Sequence, residues 1–284
     1  MSAPAFPDPV TRRFGPADYM RCMTGIVWRE GLRFVQQRGR FIAALIRPLV
    51  WLFIFAAGFR SVLGVSIIPP YSTYVLYEVY ITPGLIGMIQ LFNGMQSSLT
   101  MVYDREVGTM RSLLVSPFPR WFLLTSKLFG GVAVSILQVY VFLLIAWFWE
   151  VDPPIGGYVA VLPALIISGL MLGSLGLMLS SVIKQLENFA GVMNFVIFPM
   201  FFLSSALYPL WRMKEASPFL HMICQFNPFT YAVELIRFAL YLEVEWFSLA
   251  VSLACTAVFL ALAVFAYNPS KGLIARRGGP GGAA

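Results

Sequence analysis

Five stretches of this chain run without a single charged residue for the length of a bilayer crossing: Val79 to Tyr103, Leu128 to Trp149, Pro153 to Ile183, Asn188 to Trp211 and Trp246 to Ser270. A hydrocarbon core about 30 Å thick takes roughly 20 helical residues, and each stretch is long enough. Backbone N–H and C=O groups in lipid must be satisfied within their own segment or around a closed barrel. Barrel strands alternate apolar and polar residues, whereas these stretches are apolar throughout, so they predict helices. A sixth, Phe41 to Leu63, is interrupted only by Arg47 and Arg60 near its ends, and arginine stems can carry the guanidinium to an interface. The expectation is an all-α integral membrane protein of about six transmembrane helices.

Composition narrows the alternatives. The 284 residues are 59% hydrophobic and 12% charged, against about a quarter charged in soluble domains; one water-soluble core cannot hide that much apolar surface. The net charge of +7 is not gathered into a stripe, which argues against nucleic acid. Most of the 20 lysines and arginines fall between apolar runs on one side of the alternating topology. Arg60, Arg212, Lys214 and Arg237 are left on the other, where Glu78, Glu150, Asp152, Glu215, Glu234, Glu243 and Glu245 gather. The positive-inside rule then predicts that both termini are cytoplasmic. Cys22, Cys224 and Cys255 are far apart with no paired spacing, so free thiols are expected. A single histidine, His221, gives no basis for a metal site. There is no G-x-x-x-x-G-K-[ST] phosphate loop. No predicted span has an acid near its middle, where ion-coupled carriers keep one.

Three regions follow. Residues 1–40 form a cytoplasmic tail and an amphipathic interfacial helix, with no apolar signal segment expected. Over residues 17–38, Met20, Met23, Val27, Phe34 and Val35 fall on one side, and Arg21, Arg29, Arg33 and Arg40 on another. Such a helix lies on anionic lipid or against a cytoplasmic partner. Residues 41–267 are the six-span domain. Residues 268–284, ending in RRGGPGGAA, read as a disordered cytoplasmic tail. The charge-free run Ala216 to Val233 is broken by His221, Gln225, Asn227 and Pro228, and a crossing there would carry Lys271, Arg276 and Arg277 outside. An outer re-entrant helical hairpin, about residues 212–243, is expected before the last span. Gly169-x-x-x-Gly173 with Gly176 and Ser180 is a run of small residues that lets spans of one subunit approach closely. Trp147, Phe148, Trp149 and Trp211 sit near span ends as an interfacial belt. Phe195, Phe198, Phe201 and Phe202 either line an apolar substrate path or face lipid.

Between the second and third spans, about residues 104–120, the chain reads Asp104-Arg105-Glu106-Val107-Gly108-Thr109-Met110-Arg111-Ser112-Leu113-Leu114-Val115-Ser116-Pro117, then Phe118-Pro119-Arg120 and later Lys127. Thr109 to Val115 is expected as a short amphipathic helix, ended at Ser116 because a residue before proline is biased away from helical angles. Held between two rigid spans, it moves only when they move.

This stretch resembles the pattern E-x-G-T-x-x-x-L-L-x-S-P, with a lysine further on, of type-2 ABC exporter permeases. Asn227-Pro228-Phe229-Thr230-Tyr231-Ala232-Val233-Glu234 with Arg237 is similar to that family's N-P-x-T-Y-x-x-[DE]-x-x-R. The resemblance implies that Glu106, Gly108, Thr109, Arg111, Leu113, Leu114, Ser116, Pro117, Arg120 and Lys127 couple the chain to an ATPase. Asn227, Pro228, Tyr231, Glu234 and Arg237 would belong to an outer gate. It also implies a transport subunit without a catalytic site, in a bacterial cytoplasmic (inner) membrane. Its partners would be a second permease chain, alike or different, membrane lipids and an ABC ATP-binding subunit that carries ATP and Mg. The cargo would be amphipathic or lipid-linked. One departure is Met110-Arg111, where relatives often carry Leu-Glu, reversing the local charge. The other classes are a membrane scaffold without transport activity and a lipid-modifying membrane enzyme.

Overall fold

The computed structural model describes residues 15–36, 38–59, 69–71, 75–107, 118–149, 151–183 and 185–266. These form ten helices in chain order: α1 (Pro16–Gln36), α2 (Arg38–Phe59), α3 (Tyr77–Val107), α4 (Arg120–Trp147), α5 (Ile155–Val182), α6 (Leu186–Phe202), α7 (Leu210–Ala216), α8 (Pro218–Phe226), α9 (Pro228–Leu240) and α10 (Trp246–Ala266). Among the described residues there is no strand. The chain is an all-α integral membrane protein, and each of the six predicted apolar segments is occupied by a helix: α2, α3, α4, α5, α6 and α10.

Trp121–Trp147, Ile155–Val182 and Trp246–Ala266 are long and apolar enough to cross a membrane by themselves, while Leu45–Ile54 and Leu186–Phe202 are shorter apolar stretches. The 31-residue α3 is diluted by Gln90, Asn93, Gln96 and Ser98. The physical reason is its surroundings. From Tyr80 to Phe92 nearly every α3 side chain is buried, because α2, α4, α5, α6 and α9 all pack on it. Protein rather than lipid solvates this helix, so its polar groups find partners. By contrast α10 leaves Trp246, Leu253, Val258 and Phe265 exposed, as a helix facing hydrocarbon does.

The small residues set how closely α3 and α5 approach. A Cβ on Gly94 would lie 2.9 Å from the Gly173 Cα, and one on Gly176 2.9 Å from the Gly94 carbonyl oxygen. The glycine run therefore packs spans inside one subunit, and at these positions only the missing Cβ permits the crossing.

One sequence expectation needs correction. The fifth apolar run does not continue helically to Trp211: α6 ends at Phe202, shortly after Pro199, and the backbone turns through residues 203–208 before the short α7. The helical hairpin expected before the last span is present as α8 and α9 joined at Asn227, and α9 is its buried arm. It packs on α3, α5 and α10 and buries Phe229, Ala232, Val233 and Ile236 completely. The face expected for α1 is largely the one that packs: Phe34 is buried and Met23 and Val27 are half-buried, while Arg21, Arg29 and Arg33 are exposed. Met20 is 60% and Trp28 71% exposed, and the helix packs along α4. Tyr19 meets the rings of Phe118 and Phe122 edge-on, and Glu30 lies over Gly130.

Candidate functional site: a charged latch and a stitched hairpin

At a rise of 1.5 Å per residue, α3 is about 46 Å long and α4 about 42 Å. Both exceed a hydrocarbon core, so their joined ends are free to project. Three consecutive charged residues close α3, and each ties it to a different helix. Lys127 of α4, buried, directs Nζ to Asp104 Oδ2 at 3.5 Å. The Arg105 guanidinium donates to the carbonyls of Ser180 (2.9 Å) and Ile183 (3.4 Å), satisfying the last turn of α5. A cation there also opposes the negative end of that helix dipole. Glu106 Oε1 accepts the Leu186 backbone N–H at 2.8 Å, capping the first turn of α6. An acid at a helix N-terminus is the favourable polarity. Asp104, Arg105 and Glu106 thus clamp α3, α4, α5 and α6 at one end of the bundle.

The residues expected to touch an ATPase divide at this point. Gly108, Thr109, Arg111, Leu113, Leu114, Ser116 and Pro117, with the short helix anticipated there, lie outside the described residues, as does the Arg120 side chain. Glu106 and Lys127 are described, and both have partners inside the chain. Their role in the latch was not legible from the motif, although Asp104-Arg105-Glu106 at a helix end was a signal. Arg105 was not singled out.

At the opposite end of the bundle the Asn227 motif does structural work residue by residue. Asn227 Nδ2 donates to the carbonyls of Met200 (2.7 Å) and Leu203 (2.6 Å), at the open end of α6. Its Oδ1 accepts the Phe229 N–H at 3.0 Å, capping α9, and Pro228 occupies the first helical position, where its missing N–H costs nothing. Thr230 Oγ1 donates to the Cys224 carbonyl and the Tyr231 hydroxyl to that of Gln225, each at 2.7 Å. One five-residue segment thereby satisfies the ends of three helices.

The non-helical backbone after α6 is held by long side chains from the core. Tyr77 donates its hydroxyl to the Leu207 carbonyl at 2.9 Å, and Tyr80 to that of Ser205 at 3.1 Å. Arg237, 3% exposed, donates to the same Ser205 oxygen at 2.8 Å. It also pairs with Glu234 and lies with Cζ 4.2 Å from the Tyr80 ring centroid. Glu234 and Arg237 stand three apart on one helical face, and removing either partner would strand a buried charge.

The four phenylalanines do not share a face. Phe201 is fully buried against Trp51 and Phe229, whereas Phe195, Phe198 and Phe202 are 79%, 41% and 39% exposed. At 100° per residue, Phe201 is displaced by about a third of a turn from Phe195, so the four cannot line one path.

The described residues form an all-helical membrane bundle, clamped by charged side chains at one end and stitched by polar ones at the other. The comparisons make the class specific. Residues 23–241 match the family described as ABC-2 type transporter. The chain belongs to that family, and is a transmembrane transport permease subunit whose family works with a separate ABC ATP-binding partner. It is 27% identical over 224 residues to a putative transport permease ycf38 of Porphyra purpurea, covering 78% of this chain and 74% of the relative. To the ycf38 protein of Cyanophora paradoxa it is 28% identical over 221 residues, covering 75% and 72%. To a probable multidrug ABC transporter permease, YbhR, of Escherichia coli K12 it is 30% identical over 195 residues, covering 66% of this chain and 51% of that one.

Proposed function

We propose that this chain is the permease of an ATP-driven exporter that moves an amphipathic or lipid-linked molecule across a bacterial cytoplasmic membrane. Two permease chains, alike or different, share the path, and each docks an ATP-binding subunit through residues 104–120. The observation that carries this reading is the double grip on α6. Glu106 holds its first turn and Asn227 its last carbonyls, so the two family motifs, more than a hundred residues apart in sequence, meet opposite ends of one helix. Force applied to the segment between α3 and α4 enters through the Asp104–Glu106 clamp and reaches α6, α9 and the hairpin as one connected body. Both termini and the latch face the cytoplasm, the hairpin faces outward and gates the exit, and residues 1–40 and 268–284 flank the permease domain of residues 41–267. Energy comes from ATP bound with Mg on the partner.

The test is capture of the ATP-binding subunit encoded beside this gene by the affinity-tagged chain, with turnover measured in liposomes. Leu114→Asp is expected to abolish capture while leaving the monomer folded. A stable complex whose ATPase rate ignores Leu114→Asp would turn the reading toward a scaffold, and product formed by the isolated chain toward a lipid-modifying enzyme.

A further inference from the structure

A cavity of about 320 Å³ opens between α1, α2, α3 and α4, and of the latch it uses only Asp104. It extends along α3 from Asp104 to Phe92, about 18 Å at the helical rise. Its volume is that of a small-molecule site. Gly131 forms part of the wall, where a Cβ would crowd Ser97 Oγ at 3.2 Å.

Charge accounting decides what fits. The two carboxylates at the mouth are spoken for: Glu30 pairs with Arg29 at 3.2 Å and with Arg33 at 3.9 Å, and Asp104 with Lys127. Twelve residues along α3 from Asp104, at Phe92, the exposed Arg47 lies with its Cζ 3.8 Å from the ring centroid. Among the described residues no carboxylate pairs with it. An arginine face resting on an aromatic ring keeps its N–H edge for another acceptor. A second donor waits nearby. Gln138 is fully buried, its Oε1 accepts from Asn93 Nδ2, and its Nε2 has no hydrogen-bond partner although the residue lines the cavity. A buried donor without an acceptor is costly and rare. A cavity with a free cation, an orphaned amide donor and neutralised acids lacks one thing, an anionic acceptor.

We propose that this cavity binds the phosphate headgroup of an amphiphile, with Arg47 and Gln138 as its donors and the tail leaving between α1 and α2. The inference rests on the permease reading and gives its cargo or its resident lipid a charge. Asn93 is a positioning residue, its Nδ2 donating to Gln138 Oε1.

The probe is dioctanoyl phosphatidic acid, titrated calorimetrically into the full chain in phosphatidylcholine nanodiscs, with dioctanoylglycerol and inorganic phosphate alongside. Saturable binding of the phosphatidic acid is expected, with dioctanoylglycerol and phosphate alone at least tenfold weaker. Arg47→Gln and Gln138→Leu should each weaken it about tenfold, the loss of one charged or buried hydrogen bond. Arg47→Lys should recover part of the loss, and Arg21→Gln on the exposed side of α1 should change nothing. Should Arg47→Gln not fold, Gln138→Leu decides alone. Equal binding of dioctanoylglycerol, or wild-type binding by the folded variants, overturns the proposal. Stimulation of the complex's ATPase by phosphatidic acid marks cargo, and binding without stimulation marks a resident lipid. Lost binding with intact ATPase capture sinks this inference and leaves the permease reading standing.

Discussion

Lys127 is the residue on which the motif and the structure make opposite claims, and a charge swap separates them. As a contact with an ATPase it would face outward. In the structure its side chain is 8% exposed and meets Asp104, 21% exposed, at 3.5 Å. At that separation, with an effective dielectric of 20, the gross attraction is about 5 kcal/mol, most of it offset by desolvation. Removing one partner is therefore more informative than valuing the pair. Lys127→Met leaves a carboxylate that is only partly screened by solvent and should cost about 2 kcal/mol, less than the 3–5 kcal/mol of a fully buried orphan. Asp104→Asn strands the better-buried ammonium and should cost somewhat more. The double variant should recover at least about 1 kcal/mol of the summed losses, and Asp104→Lys with Lys127→Asp should restore ATPase capture. Thermal unfolding followed by a thiol-reactive dye suits this protein, since Cys224 is fully buried and free. If Lys127→Met unfolds like the parent yet loses ATPase capture, the internal latch is wrong and the lysine belongs to the partner's surface.

Asn227→Asp is expected to be as damaging as Asn227→Ala, by about 2 kcal/mol or more, because a carboxylate cannot donate to the Met200 and Leu203 carbonyls; as a simple helix cap, aspartate would be tolerated, and the same dye assay tells the two apart. Gly94→Val should cost at least 1–3 kcal/mol through overpacking, since its Cβ meets Gly173 backbone at 2.9 Å, read as lost folded yield in a detergent-resistance assay. Phe201→Ala should destabilise by about 3–5 kcal/mol, whereas Phe195→Ala, at a site 79% exposed, should leave the melting curve in place; equal effects would contradict the assignment of faces.

The helical class and the positions of the six apolar helices were legible because lipid imposes one rule on every residue it touches, and a run such as Trp246–Ala266 obeys it without neighbours. Elements solvated by protein escape that rule. The polar residues of α3 and the depth of α9 depend on partners from elsewhere in the chain, such as the bond of Gln90 Nε2 to the Leu165 carbonyl at 2.7 Å. The end of α6 was misjudged for the same reason. Residues 203–208 are apolar enough to continue a span, but Tyr77, Tyr80 and Arg237 supply what irregular backbone at depth requires. Motif spacing singled out Glu106 but could not say that it would face α6.

The two motifs look unrelated in sequence because one carries charges and the other an Asn-Pro break, yet both solve one electrostatic problem. A helix that ends among other helices leaves N–H groups at its start and carbonyls at its finish. Within the bilayer the carbonyls cannot turn to water. On α6 the first set is met by a carboxylate, Glu106, and the last by an amide, Asn227. Each comes from a different element, so the helix cannot shift without breaking charge-assisted or doubly shared bonds or taking those elements with it. Its outward flank is held by nothing comparable: Phe195, Phe198 and Phe202 offer only apolar contact. A rod held at both ends by other elements and free along one side moves only with the elements that cap it, and here the groups that satisfy its backbone are also the ones that tie it to them.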